Sequence, residues 1–254
     1  AELDHLVRRL AAIPGIDVIA LTTNGLRLRE LARPLVDAGL TRFNVSLDTL
    51  DPVRFATLTR GGDVARVLDG IDAVLELGLP RPTKINSVVV GGRSDQDAVA
   101  LVRRFEGRDV VVRFIEYMPF TDQEGWASGG YVPLAQVRDV LVRELGIEPG
   151  ASVAGSGPAE YWAVPGGTVR VGFIHPVSEH FCEACNRVRL TATGELRPCL
   201  GHLGSVSLRD VIRGGGDDDA LRAAIAQGLS AKPERHHFVE DPSEAKGGMS
   251  SIGG

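Results

Sequence analysis

TKINSVVVGGRSDQDAVALVRRFEGRDVVVRFI (83–115) contains two strand patterns and one helix pattern, which together indicate the fold class. Its two ends, 83–90 and 109–115, are short runs rich in valine and isoleucine, which are typical of strands buried on both faces. The segment between them, 94–106, repeats apolar residues at helical spacing. A strand, a helix and a second strand in this order predict a βαβ unit with parallel strands.

The same alternation fills the first half of the chain. We predict further helices over 3–13, 26–38 and 64–77 and further strands over 17–21 and 42–47. The pattern changes after about residue 118, where we predict a helix over 132–145, a strand over 168–174 and helices over 207–213 and 219–228. The sequence therefore predicts an α/β parallel-sheet domain over 1–118 and a C-terminal domain over 119–254.

Composition excludes several classes of partner. The formal net charge is -5, so there is no overall positive field to recruit nucleic acid. We find no run of about 18 apolar residues and no leader, so we expect a cytoplasmic protein with no membrane partner. Because the chain starts at Ala1 within an amphipathic pattern, we also expect a preceding N-terminal segment.

Polar residues lie on or just after the predicted strands. They are TTNG (22–25), Ser46, Lys84, Arg113 and Met118. Ligands of α/β barrels bind at the C-terminal ends of the strands, so these residues are candidates for a binding site. A buried lysine or arginine needs an anionic partner, either a ligand or a structural ion pair. TTNG is equally typical of a plain turn, and Met118 of packing.

The three cysteines, Cys182, Cys185 and Cys199, are spaced Cys-x2-Cys-x13-Cys. An odd, clustered set is poor material for disulfides but suits a metal site with one open position. Thiolates bind either zinc or an iron–sulfur cluster. Structural zinc requires four ligands, and His180 or His202 could supply the fourth. The spacing alone leaves both alternatives open.

Two arginines lie close to the cysteines in the sequence. We predict a strand over 187–191, in which Arg187 and Arg189 point to the same face. Guanidinium groups there would stabilise a negatively charged cluster and could bind phosphate oxygens or a purine edge.

Several motifs carry a resemblance to a known family. In chain order they are DVIALTTNG (17–25), FNVSLDTLD (43–51), KINSVVV (84–90), RFIEYMPF (113–120), FCEACNRVRLTATGELRPCL (181–200) and MSSIGG (249–254). Together they resemble the molybdenum cofactor biosynthesis protein A family, the GTP 3',8-cyclases of the radical S-adenosylmethionine (SAM) type. The resemblance spans the whole chain, and the cysteine segment and the terminal double glycine are its most specific parts.

The resemblance implies a fold and a set of site residues. The fold would be an incomplete radical SAM (βα)6 TIM-like barrel lacking its first strands, followed by a C-terminal iron–sulfur extension. Cys182, Cys185 and Cys199 would hold a 4Fe–4S cluster whose open iron binds the guanine of GTP. The other implied contacts are Thr23, Lys84, Arg113, Arg187, Val188 and Arg189 to GTP, and Ser46 and Met118 to SAM. Arg187, Arg189, Gly253 and Gly254 would serve catalysis.

The resemblance also implies a reaction and partners. A SAM-derived radical would convert GTP to (8S)-3',8-cyclo-7,8-dihydroguanosine 5'-triphosphate, which cyclic pyranopterin monophosphate synthase would then use; the family also suggests a homodimer. The family's second 4Fe–4S cluster uses a Cys-x3-Cys-x2-Cys motif, but no cysteine precedes Cys182 here. We therefore expect that motif on a segment before Ala1, and this chain alone to be inactive. The alternatives are another radical SAM enzyme with an auxiliary cluster and a zinc-stabilised nucleotide-binding module.

Overall fold

The computed structural model describes residues 2–91, 94–118, 130–153, 157–202 and 204–237. The chain divides into two compact units. The first, here called the sheet unit, contains Ala1–Glu116 and Val132–His175. The second, the cysteine unit, contains Tyr117–Tyr131 and Pro176–Gly254. The sheet unit thus reaches past residue 118, where we placed the end of the first domain.

The sheet unit alternates helices and strands. In chain order its elements are α1 (Leu3–Ala11), β1 (Ala20–Thr23), α2 (Leu28–Asp37), β2 (Arg42–Ser46), α3 (Pro52–Leu58), α4 (Val64–Glu76), β3 (Thr83–Val89), α5 (Ser94–Arg104), β4 (Val110–Glu116), α6 (Leu134–Leu145), β5 (Glu148–Pro149), β6 (Glu160–Ala163) and β7 (Arg170–Ile174). The strands form one sheet in the order β1-β2-β3-β4-β7-β6-β5. The pairs from β1 to β7 are parallel, whereas β6 and β5 join antiparallel.

The predicted α/β class is confirmed, and the sheet is mixed rather than purely parallel. Over the described residues it is an open sheet with β1 and β5 at its edges, so closure into a barrel stays a prediction. Among the described residues, the sequence prediction lacked one helix, α3. Its signal was Asp51 followed by Pro52: the Asp51 carboxylate accepts hydrogen bonds from Val53 N and Arg54 N, both at 2.9 Å. Aspartate at the N-cap and proline at the first position are a standard helix start.

The two faces of the sheet differ because side chains alternate along each strand. One face carries apolar residues such as Phe43, Ile85 and Phe173, all fully buried in the hydrophobic core with the helices. The opposite face of the same strands carries Arg42 and Lys84 among other polar groups. This polar face positions the first candidate site.

Over its described residues, the cysteine unit contains a small antiparallel sheet and two helices. Its elements are β8 (Arg189–Leu190), β9 (Glu195–Arg197), β10 (Val206–Ser207), α7 (Leu208–Arg213) and α8 (Asp218–Ser230), and the strand order is β10-β9-β8. Ser207 caps α7, and Asp217 caps α8 by accepting a hydrogen bond from Ala220 N at 2.9 Å. No helix in the described ranges has the length and apolar character needed to cross a membrane.

Candidate functional sites: a cationic sheet face and three clustered thiols

Three cations share the polar face of the sheet: Arg42 on β2, Lys84 on β3 and Arg113 on β4. We call them the cationic face. Strand register brings them together, since Asn44 pairs with Lys84 and Asn86 pairs with Arg113. Salt bridges to a carboxylate are absent for all three within the part of the chain that the structure describes. A structural ion pair, the alternative considered for Lys84 and Arg113, is therefore not found there.

Lys84 is the most deeply placed of these cations, with only 4% of its surface exposed. Its Nζ donates a hydrogen bond to Tyr161 Oη at 3.3 Å and lies 5.7 Å from the centre of the Tyr161 ring. Burial, followed by the charges of Arg113 and Arg42, lowers the pKa of Lys84 to about 8. A nearby anion would reverse this effect by stabilising the ammonium form.

Arg113 and Arg42 resemble Lys84, because burial disfavours the charged form of each side chain. Arg113 Nε donates to Asn86 Oδ1 at 2.8 Å, and burial lowers the pKa of Arg113. Burial also lowers the pKa of Arg42. In addition, Arg42 Nε and Asn44 Oδ1 are buried without a hydrogen-bond partner over the described residues. Buried polar atoms are normally paired, so these two atoms have hydrogen-bonding capacity that the described residues do not use.

Tyr161 completes this site and was not among the predicted residues. It lies on β6 opposite Gly172 of β7. A Cβ at Gly172 would come within 3.0 Å of Tyr161 Cε1 and 3.1 Å of Arg113 Cγ, so the glycine leaves the room that both side chains occupy. Only the pairing of β6 with β7 brings Tyr161 near Lys84, and no local sequence pattern announces that pairing.

The other strand-end residues lie where the parallel strands end. Ser46 is exposed at the end of β2 and pairs with Asn86. Thr23 ends β1, and its Oγ1 accepts a hydrogen bond from Gly25 N at 3.1 Å, as a turn requires. Thr22, in contrast, accepts a hydrogen bond from Asn44 Nδ2 at 3.3 Å and so belongs to the polar face.

Three further predicted site residues lie outside the described part of the sheet unit. Met118 follows the end of β4 by two residues, is partly buried and belongs to the cysteine unit. Gly253 and Gly254 lie outside the described residues.

The second candidate site contains the three thiols. Cys182, Cys185 and Cys199 are all free and partly buried. Cys185 N donates to Cys182 O at 3.0 Å, which closes a tight turn between the first two. Cys199 follows β9, whose partner strand β8 begins four residues after Cys185.

Cations surround these thiols, and their effects on the thiol pKa values differ. Burial raises the pKa of Cys185, but hydrogen bonds from the backbone and side chain of Arg187 outweigh it, so the pKa lies below its usual range. Burial raises the pKa of Cys199 above its usual range, and the charge of Cys182 raises it further. Arg189 partly offsets this increase.

The predicted strand over 187–191 is shorter in the structure, where β8 contains only Arg189–Leu190. The alternation nevertheless holds. Arg187 and Arg189 are partly buried, whereas Val188 and Leu190 are exposed. The Arg187 guanidinium lies 4.9 Å from the centre of the Phe181 ring, which fixes it beside the cysteine turn.

Zinc, the alternative to a cluster, requires a compact set of ligands around one ion. A single zinc ion bonds each thiolate at about 2.3 Å, so its sulfurs lie roughly 4 Å apart. Within the described ranges, no group of three or more His, Cys, Asp or Glu side chains is arranged to hold one metal ion. His180, a candidate fourth zinc ligand, packs edge-on against His236 with ring centres 5.9 Å apart. The charge of Cys182 raises the pKa of Cys199, so these two thiols are electrostatic neighbours. The choice between zinc and an iron–sulfur cluster stays a prediction.

Two protein-family models and several named proteins are similar to this chain. The model of the Radical SAM superfamily matches residues 1–105, and that of Molybdenum Cofactor Synthesis C matches residues 110–238. The chain is 45% identical to the GTP 3',8-cyclase of Pelotomaculum thermopropionicum over 253 residues, covering 99% of this chain and 77% of that protein. It is 43% identical to that of Moorella thermoacetica, covering 98% and 76%. It is 44% identical to that of Pseudomonas putida, covering 92% and 70%.

Proposed function

Because the chain belongs to the GTP 3',8-cyclase family of radical SAM proteins, we propose that it converts GTP to (8S)-3',8-cyclo-7,8-dihydroguanosine 5'-triphosphate in molybdenum cofactor biosynthesis. This makes it a lyase. The observation that carries the proposal is the cationic face, where buried Lys84 and partly buried Arg42 and Arg113 have no carboxylate partner in the regions that the structure describes. Such a face is complementary to a polyanion.

The triphosphate of GTP is the part that would bind the cationic face. Lys84 and Arg113 would contact phosphate oxygens directly, and the guanidinium forks of Arg113 and Arg42 suit bidentate binding. The Tyr161 hydroxyl accepts a hydrogen bond from Lys84 and would itself donate a hydrogen bond to a phosphate oxygen. Binding would also relieve the mutual repulsion of the cations, which raises the affinity of the site for a polyanion.

The three thiols would hold the cluster that binds the guanine base of GTP. Cys182, Cys185 and Cys199 would hold a 4Fe–4S cluster, which supplies one iron with an open position for the guanine. Arg187 and Arg189 balance the negative charge of the thiolates. With Val188, these arginines would line the GTP site, and the two guanidinium groups would orient the substrate for catalysis.

The remaining site residues are also proposed from the family. Thr23 would contact GTP, and Ser46 and Met118 would contact SAM. Gly253 and Gly254 would take part in catalysis. SAM and a second 4Fe–4S cluster, for which the three cysteines of this chain leave no ligands, would provide the radical chemistry. A homodimer would be the working form, and cyclic pyranopterin monophosphate synthase would take the product.

The test is anaerobic reconstitution of the full chain with iron and sulfide, followed by titration with GTP. We expect a brown protein with one cluster whose electron paramagnetic resonance changes on adding GTP but not on adding ATP, because only the guanine matches the iron site. A colourless protein that retains zinc and does not respond to GTP would instead support the zinc-stabilised module. A cluster that responds to neither nucleotide would support another radical SAM reaction.

A further inference from the structure

Lys232 lies in the cysteine unit just beyond α8, and its side chain reaches the turn between the first two cysteines. Its Nζ donates to Cys185 O at 2.5 Å and to Arg187 O at 2.9 Å, and it lies 3.6 Å from Cys185 Sγ. A lysine ammonium has three donors, and here three acceptors converge on it. The side chain therefore links the end of a distant helix to one thiol and to the backbone around it.

Close packing of α8 positions this lysine. Gly228, in the last turn of α8, is buried, and a Cβ there would lie 2.8 Å from Leu196 Cδ2 of β9. Glycine inside a helix costs roughly 1 kcal/mol relative to alanine, so its presence here is explained by the close approach of the helix to the small sheet. The backbone N–H of Lys232 then donates to Leu229 O at 3.1 Å, which holds the residue against the helix end.

We propose that Lys232 is a positioning residue that holds the Cys185 thiolate in place and tunes the cluster. The inference rests on the proposed function, since it requires the three cysteines to hold a 4Fe–4S cluster. Hydrogen bonds and positive charge at a ligand sulfur stabilise the more negative, reduced form and so raise the reduction potential. The bonds to the carbonyl oxygens of Cys185 and Arg187 also fix the backbone that presents the thiol.

Three variants of the full chain separate the contributions of Lys232. Lys232→Met removes the charge and all three donors. Lys232→Gln keeps two donors without the charge, and Lys232→Arg keeps the charge on a planar fork that cannot match three converging acceptors. Arg222→Gln removes a positive charge from the exposed surface of α8, where Arg222 pairs with Asp219, and serves as the matched control.

The measurements are the reduction potential, from a redox titration followed by electron paramagnetic resonance, and the rate of iron release to a chelator. For Lys232→Met we expect the reduced-to-oxidised ratio at a fixed potential to fall about tenfold, equal to about 59 mV for one electron. Iron release should accelerate at least tenfold. Lys232→Gln and Lys232→Arg should fall in between, and Arg222→Gln should match the unaltered chain.

The outcomes distinguish the inference from the proposed function. If the unaltered chain takes up no cluster, the proposed function fails. If it takes up a cluster and Lys232→Met has the same potential and iron-release rate, the role of Lys232 is overturned. If Lys232→Met retains no iron, Lys232→Gln still reports the potential, and an unchanged value there contradicts the tuning role.

Discussion

The sheet unit and the cysteine unit both concentrate positive charge, but they use it differently. On the cationic face, Lys84 and Arg113 contact neutral groups, Tyr161 and Asn86, and burial lowers the pKa of both cations. In the cysteine unit, Arg187 and Lys232 contact a thiol and backbone carbonyl groups of the same loop. The cationic face can therefore bind an anion from outside the chain, whereas in the cysteine unit the thiol groups of the chain itself supply the negative charge. The two sites should therefore respond differently to loss of a single side chain.

The largest expected effect is in the cysteine unit. Cys199→Ala leaves two thiolates for the cluster, and we expect bound iron after reconstitution to fall more than tenfold, because loss of a ligand costs more than loss of a residue behind it. Bound iron measured by a chelator assay checks this. Affinity for inorganic triphosphate should be unchanged, because the cationic face is built by other residues. If bound iron and triphosphate affinity fall together, the two sites are not independent.

The next effect is at Lys84, where binding and stability should change in opposite directions. Lys84→Met should weaken binding of inorganic triphosphate by about 10- to 100-fold, since it removes a charged contact. It should also raise the free energy of unfolding at neutral pH by about 1–3 kcal/mol, because it removes the cost of burying the ammonium group. Calorimetric titration and denaturant unfolding measure the two quantities. Arg33→Gln, which alters an exposed arginine of α2, should change neither.

The same lysine sets a pH dependence. Its pKa is about 8 in the folded chain and 10.5 ordinarily, so the unfolded chain binds more protons between these values. The unaltered chain should therefore become more stable as pH rises from about 8 towards 10.5, while its affinity for triphosphate falls about tenfold per pH unit above the pKa. Lys84→Met should lack both trends. A triphosphate affinity that depends on pH equally in both chains would contradict the assignment to Lys84.

The smallest effect distinguishes direct contact from positioning on the cationic face. Tyr161→Phe keeps the ring over Gly172 but removes the hydroxyl that accepts from Lys84. We expect a loss of about 0.5–1.5 kcal/mol in triphosphate binding, or about 2- to 12-fold, the usual net value of one hydrogen bond. Titration of inorganic triphosphate measures it. Gly172→Ala should weaken binding more, since the added methyl displaces both Tyr161 and Arg113, and equal affinities would show that the ring position does not matter.

Local pattern was sufficient for most of the elements. Apolar runs predicted β2, β3 and β4 to within one residue at every end. The strand expected over 17–21 lies at Ala20–Thr23. Just before it, the Thr41 hydroxyl accepts a hydrogen bond from Ile19 N and donates one to Ile19 O. That contact joins residues that are distant in sequence, and periodicity cannot detect it.

Residue types and short spacings were enough to predict the alternating α/β order, the charged residues inside apolar strands and the set of three clustered cysteines. These features depend on residue type and on separations of a few positions, which local physical chemistry governs. Only the folded chain brings Tyr161 to Lys84 and Lys232 to Cys185, across 77 and 47 positions of sequence. Such contacts follow from strand register and helix packing, which depend on the whole fold.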